Sequence, residues 1–261
     1  MSYALITGAS KGIGKAMAEV LAAKGKNLLL VARSANLLGE VAEDLKKRFN
    51  VDIRVLALDL SAVDAAGEIR KWCLDQKFKI NILINNAGYG LWGKFEQLTL
   101  AEQQNMMQLN VTTLVELTYH LLPILKEEKQ SYILNVASTT AYQAVPCMSL
   151  YAASKAFVLS FTRGLRFELR KSNISVTCLS PGSTTTNFIE RAKMQALEKT
   201  AEKVSMKPED VAKIGLAGMF AKKAEIIPGM VNKISAGAAS YLPKSLLEKI
   251  AAGIYEKFLH A

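Results

Sequence analysis

Short apolar runs alternate along this chain with longer stretches in which apolar residues recur every third or fourth position. Tyr3-Ala-Leu-Ile-Thr7, Asn27-Leu-Leu-Leu-Val-Ala-Arg33, Ile53-Arg-Val-Leu-Ala57, Ile80-Asn-Ile-Leu-Ile84 and Ile174-Ser-Val-Thr-Cys-Leu179 have the length of buried strands. After the first of them, Ala16-Met17 and Val20-Leu21 keep helical spacing. Glu225-Ile-Ile-Pro-Gly229 reads as a last strand. Beyond it Pro243 can start a helix, with Leu246, Leu247, Ile250, Ile254 and Phe258 on one stripe of an amphipathic segment over 243–259. Strands alternating with amphipathic helices predict an α/β fold. The alternation runs through 261 residues without a Pro/Gly/Ser-rich linker, so one domain over 1–261 is expected.

The first apolar run leads into Gly8-Ala-Ser-Lys-Gly12-Ile-Gly14 and then a helical pattern. A strand, a glycine turn and a helix start form the context of a dinucleotide-binding fingerprint. Gly8 allows the sharp turn, Gly12 lets the backbone approach a pyrophosphate, and Gly14 lets helix and strand pack closely. The helix N-terminus offers unpaired N–H groups to phosphates. Asn85-Asn86-Ala87-Gly88 follows another apolar run, so it belongs at the carboxyl end of a strand, where open α/β sheets bind ligands. Pro181-Gly182-Ser-Thr-Thr-Thr186 follows Ile174–Leu179 in the same way, and Asn110 lies in a long helical stretch.

Tyr151 and Lys155 stand four residues apart, and Ser138 lies thirteen before the tyrosine. On a helix, side chains four apart share a face. A free phenol, with a pKa near ~10, is too weak an acid for efficient proton transfer at neutral pH. A neighbouring ammonium stabilises the phenolate and lowers that value. Such a phenol can protonate a ketone oxygen while hydride arrives at the carbon, and a nearby serine hydroxyl can hold the same oxygen. The trio reads as carbonyl reduction chemistry.

These motifs, in this order from residue 3 to about 188, resemble the short-chain dehydrogenase/reductase family. The resemblance implies a doubly wound Rossmann fold, with about seven parallel strands in the order 3-2-1-4-5-6-7 and helices on both faces. It implies that Tyr151 is the general acid and that Lys155 binds the nicotinamide ribose and lowers the tyrosine pKa. Ser138 then orients the carbonyl, and Asn110 supports a water leading to Lys155. The substrate-binding residues are Ser138 and Tyr151. The cofactor set comprises Gly8, Ser10, Lys11, Gly12, Ile13, Gly14 and Arg33, then Asp59 at the adenine amino group with Leu60. Asn86, Ala87 and Gly88 shape the wall near the adenosine ribose. Tyr151, Lys155, Pro181, Gly182, Thr184 and Thr186 complete the set at the nicotinamide end. Family members that reduce carrier-bound 3-oxoacyl chains end soon after the last strand, whereas this chain continues to Ala261. The longer tail looks more like the branch with generalist and lipid- or sterol-type ketone reductases.

Cofactor choice turns on the end of the second strand. NAD-binding relatives carry an acidic residue there for the adenosine 2′-hydroxyl. Here Ala32 and Arg33 occupy the place, and Lys11 adds a second cation. Arginine can grip a 2′-phosphate bidentately, so NADP(H) is the expected cofactor. The formal net charge is +10, but there is no block of five or six basic residues and no aromatic–basic interleaving. Nucleic acid is not an expected partner, and most charges read as solvated helix faces.

No apolar stretch approaches the ~18 residues of a membrane span, and peripheral membrane contact is not expected. With the first strand beginning at Tyr3, no signal or transit peptide is expected. The three scattered cysteines fit a reducing cytoplasm, the expected location. His120 and His260 are the only histidines, and metal chemistry is not expected. Cys147, between Ser138 and Tyr151, reads as a small apolar wall residue.

The substrate side should be bordered by Tyr89–Phe95, Ala141–Met148 and a lid over 187–207 that includes Phe188, Ile189 and Met194. Together they suit a hydrophobic ketone or aldehyde; Arg191 and Lys193 leave an anionic 3-oxoacyl thioester open as an alternative. A homo-oligomer, dimer or tetramer, is expected. A non-catalytic NADP(H) sensor on the same fold is the rival reading, but it has no need of the serine, tyrosine, lysine and asparagine together.

Overall fold

A computed structural model describes residues 2–185, 192, 205–239 and 241–256. Its sheet comprises β1 (Tyr3–Thr7), β2 (Asn27–Ala32), β3 (Ile53–Ala57), β4 (Ile80–Asn85), β5 (Ser131–Val136), β6 (Ile174–Leu179) and β7 (Glu225–Ile226). The order is β3-β2-β1-β4-β5-β6-β7, and every pairing is parallel. The expected Rossmann topology is present. The last strand is shorter than the expected Glu225–Gly229, because Pro228 has no N–H to donate and Gly229 turns at φ +87° into the next helix.

The inner strands read as near-continuous apolar runs because both faces are covered, while β3, at the edge, is largely exposed. Ala4, Ile6, Leu28, Leu30, Ile82, Ile84 and Leu134 point to one side. There they pack on α1 (Gly12–Ala23), α2 (Ala35–Arg48) and α7 (Pro208–Phe220). Leu5, Leu29, Val31, Leu83, Ile133 and Val176 point to the other, against α3 (Ala65–Asp75), α5 (Thr113–Lys126) and α6 (Ser149–Glu168). Between α3 and α5, α4 (Leu100–Met107) runs into a π-helical turn, Gln108–Thr112. β1 pairs with β2 on one side and β4 on the other, so the chain reverses its direction of travel across the sheet there. A crevice opens at the carboxyl ends of those strands.

After β7 come α8 (Met230–Ala238) and α9 (Lys244–Tyr255). The terminal helix forms, but its buried positions differ from the predicted stripe. Leu247 and Ala251 are buried, whereas Leu246 and Ile250 are 45% and 52% exposed. Periodicity defines a face of a helix but not how much of that face a neighbour covers. Among the described side chains the contact reaches the Leu247–Ala251 edge. Ile254 and Phe258 lie outside the described side chains. Among the described residues no helix is long and apolar enough to cross a membrane.

The two edges of α9 should respond differently to charge. Ala251→Asp buries an unpaired carboxylate and is expected to lower the melting midpoint by about 5 °C or more. Ile250→Asp is expected to shift it by less than about 2 °C. Equal shifts in a thermal melt would mean that α9 is not seated on its Leu247–Ala251 edge.

Candidate active site

Loops from the carboxyl ends of β1, β4, β5 and β6 converge on this edge of the sheet. Gly8 and Gly12 sit at φ +66° and +54°, a region costly for any residue with a Cβ. A Cβ on Gly14 would lie 2.3 Å from the Gly8 carbonyl oxygen and 2.5 Å from Asn86 Nδ2, so glycine is what lets α1 seat against the end of β1. The loop after β4 braces this turn. Asn86 Nδ2 donates to the Thr7 carbonyl at 2.9 Å, and the backbone N–H groups of Asn86 and Ala87 each donate to Thr7 Oγ1 at 3.0 Å.

The start of α1 has no side-chain cap and no acid in its first turn. Its unpaired N–H groups and positive dipole end are open to an anion. Glycine cradle and uncapped helix together fit the pyrophosphate of a dinucleotide. The Lys11 and Arg33 side chains are exposed beside this turn, and neither makes a hydrogen bond or ion pair among the described residues. Ser10 and Ile13 are half-buried in the same turn. Asp59 is exposed after β3, and its Oδ1 accepts from Ser61 N at 3.0 Å and Ser61 Oγ at 2.7 Å. Leu60 is buried, and its carbonyl accepts from Thr113 Oγ1 at 2.6 Å, which ties this loop to α5.

Tyr151 and Lys155 occupy the first two turns of α6, both buried. Lys155 Nζ donates to the carbonyl of Val136, the last residue of β5, at 3.0 Å and lies 5.8 Å from the Tyr151 ring centre. Removal from water pulls the lysine pKa down to about 8. A Cβ on Gly88 would stand 3.3 Å from that Nζ and 2.9 Å from Asn110 Oδ1, so the two groups face the same small space. Asn110 lies in the π-helical turn rather than in the regular helix expected. Widened turns of this kind re-aim side chains and recur at functional sites. Its Oδ1 accepts from Tyr89 N at 3.1 Å, and its Nδ2 donates to Tyr89 O at 2.9 Å and Ser154 Oγ at 3.2 Å. Ser154 Oγ donates in turn to the Tyr151 carbonyl at 2.7 Å.

Ser138, buried just beyond β5, caps a 3₁₀ turn over Thr139–Tyr142, its Oγ accepting from Thr140 N at 3.2 Å. Thr139 N donates to Pro181 O at 3.0 Å, which joins the turn to the loop after β6. In that loop Thr184 Oγ1 donates to Gly182 O at 3.1 Å. A Cβ on Gly182 would lie 2.5 Å from Asn232 Oδ1 of α8, so glycine is what admits α8 there. Gly8, Asn86–Gly88, Asn110, Ser138, Tyr151, Lys155 and Pro181–Thr184 thus gather at one sheet edge. Thr186, the lid residues Phe188, Ile189, Arg191, Lys193 and Met194, and most of 187–207 lie outside the described residues.

The two predicted substrate segments meet, with Gly93 N donating to Cys147 O at 2.9 Å. Tyr89, Leu91, Val145 and Met148 point into the core, while Cys147 is half-buried with φ +64°. Burial, and then the Glu256 carboxylate, push its thiol pKa up. Two supporting residues escape a sequence reading: Thr7 and Ser154. Their partners are distant in the chain or are main-chain atoms, which leaves no local pattern.

The geometry agrees with comparisons to known proteins. A family model described as short chain dehydrogenase matches residues 2–197. The chain is 34% identical to an uncharacterized oxidoreductase, YmfI, of Bacillus subtilis, over 90% of this chain and 97% of that one. It is 30% identical to a 7beta-hydroxysteroid dehydrogenase of Clostridium sardiniense, over 88% and 87% respectively. Among solved structures, a short-chain dehydrogenase from Sphingobium yanoikuyae in complex with NADPH superposes with a TM-score of 0.81. The two are 30% identical, over 93% of this chain and 96% of that one.

The buried ammonium predicts a pH dependence. Lys155 titrates at about 8 in the folded protein, against 10.5 for an ordinary lysine. In that window the unfolded chain holds the extra proton. The lysine's contribution to stability is therefore fully present above the unfolded value and is lost as pH falls through the folded one. Between about pH 7.5 and about pH 10, the stability of the wild type relative to Lys155→Met is expected to rise by about 2 kcal/mol. Urea unfolding of both proteins measures the difference, and a flat difference would mean that the ammonium is not desolvated.

Proposed function

This chain belongs to the short-chain dehydrogenase family, and we propose that within it the protein is an NADP(H)-dependent reductase of a hydrophobic ketone or aldehyde. The observation that carries the reading is the buried Lys155 ammonium, 5.8 Å from the Tyr151 ring on one helix face. A charged lysine is rarely buried without a task, because desolvation disfavours its charge. Here the positive charge favours the phenolate of its neighbour and so makes the Tyr151 O–H a better acid.

In this reading Tyr151 protonates the carbonyl oxygen, and Ser138 Oγ donates a hydrogen bond to the same oxygen. Asn110 holds the Tyr89 backbone and the polar space beside Gly88, through which a proton returns from Lys155 to the phenol. The glycine cradle and the start of α1 hold the pyrophosphate, and Arg33 with Lys11 holds the 2′-phosphate. NADPH, when bound, supplies the hydride. Apolar residues of the loops after β4 and before α6 exclude water from the reacting carbonyl. The hydrophobic substrate class is supported by the similarity to a 7beta-hydroxysteroid dehydrogenase.

Loss of NADPH absorbance with aryl ketones, aldehydes, ketosteroids and 3-oxoacyl thioesters tests the activity. Tyr151→Phe is expected to lower turnover by about 10²–10⁴-fold while NADPH still binds. A Phe variant with near-normal turnover would remove Tyr151 from the proton-transfer role.

Cofactor choice is tested separately. Arg33→Ala is expected to weaken NADPH by roughly ten- to a hundredfold, the loss of a charge-assisted hydrogen bond, and NADH by less than about threefold. Titration of both cofactors against both proteins decides it, and equal losses would show that Arg33 does not read the phosphate.

A further inference from the structure

Outside the catalytic set, one chain of polar contacts links three elements of the site. Tyr142 closes the 3₁₀ turn that Ser138 opens. Its phenol donates to Glu225 Oε1 on β7, and its oxygen lies 3.1 Å from Ser180 Oγ at the end of β6. The other carboxylate oxygen, Glu225 Oε2, accepts from Arg163 Nη1 at 2.8 Å. Arg163 sits on α6, three turns beyond Tyr151. The contacts therefore run from the serine turn through β7 and back to the helix that carries the tyrosine. The segment between Ser138 and Tyr142 is short, and its start is already pinned, since Thr139 N donates to Pro181 O at 3.0 Å. Tyr142 pins its other end.

We propose that Tyr142 is a positioning residue: through Glu225 and Arg163 it holds the Ser138 turn at a fixed setting relative to Tyr151. Three observations support it. Burial and the adjacent carboxylate push the phenol pKa well above its ordinary value, so the phenol remains a donor throughout the working range. Glu225 receives one bond from each side, from the half-buried Tyr142 phenol and from Arg163, whose side chain is 57% exposed, and so joins the two elements. β7 is only two residues long, yet it is tied to β6 through Cys178 N to Ala224 O at 3.0 Å and Ser180 N to Ile226 O at 2.8 Å. The junction therefore stands on the sheet and not on a loose loop. A donor aimed at a reacting oxygen loses much of its effect when it is displaced by a fraction of an ångström.

The proposal rests on the reading of Ser138 as the group that holds the carbonyl, and the test separates the two. Wild type, Tyr142→Phe, Ser138→Ala and the double variant are compared, using the carbonyl that turns over fastest in the panel above. Tyr142→Phe is expected to lower kcat by about tenfold with the KM for NADPH unchanged, and by less than about twofold in the Ser138→Ala background. A merely structural residue would lower kcat equally in both backgrounds, and that result overturns the proposal. A fall for Ser138→Ala with none for Tyr142→Phe overturns the positioning role alone; no fall for Ser138→Ala overturns both readings. Glu225 provides a second arm should Tyr142→Phe fold poorly. Glu225→Gln keeps an acceptor for the phenol but sets its amide N–H₂ against the Arg163 donor, so it is expected to lose less kcat than Glu225→Ala, which falls with Tyr142→Phe. Equal kcat for the two Glu225 variants overturns the proposal.

Discussion

A lysine ammonium held out of water sets the terms for the rest of the site. Lys155 is buried, and the partner fixed by the fold is the Val136 carbonyl. That carbonyl belongs to the last residue of β5, while the next backbone donor, Ala137 N, still reaches Leu179 O of β6 at 2.7 Å. The helix carrying Lys155 must then begin close above the end of β5, which sets Tyr151 over the same edge. Gly88 must lack a side chain, since a Cβ would press on both Nζ and Asn110 Oδ1. Asn110 must reach inward from the α4–α5 segment, and a widened turn supplies the angle. Each of these is a separate element of the fold, and each is placed by the need to satisfy or make room for one charge.

The strands and the glycine turn were legible because they are local. A parallel strand covered on both faces has to be a run of mostly apolar residues, as 3–7, 27–32, 80–85 and 174–179 are, whereas 53–57, at the sheet edge, is largely exposed. Tyr151 and Lys155 were legible for the same reason, being four apart on one helix. Features set by contact across the chain were not. The Tyr142–Glu225 bond joins residues 83 apart, and Arg163–Glu225 joins residues 62 apart. Nothing near Tyr142 distinguishes it from an aromatic loop residue. The burial of α9 was not legible for a related reason. The spacing of Leu246, Leu247 and Ile250 marks a helix face, but the neighbour that decides exposure lies elsewhere in the chain.

The glycine cradle and the cations beside it divide two tasks that are easily conflated. The cradle is rigid: Thr7, Gly8, Gly14 and Asn86 are locked by backbone approach and short hydrogen bonds. It addresses a pyrophosphate, which NAD and NADP share. Arg33 and Lys11 are exposed and have no protein partner among the described residues. In the proposed reading they carry whatever distinction is made at the 2′-position. Because exposed charges are screened by salt, a preference that rests on them weakens as ionic strength rises, while the affinity common to both cofactors, resting on buried backbone geometry, changes less. The proposed preference for NADP(H) is thus separable from the fold, and a chain with this cradle needs only a change at the end of β2 to alter it. In the proposed reading one sheet edge thus divides the work: cofactor choice falls to one or two side chains at its rim, and the proton chemistry to the buried ammonium at its centre.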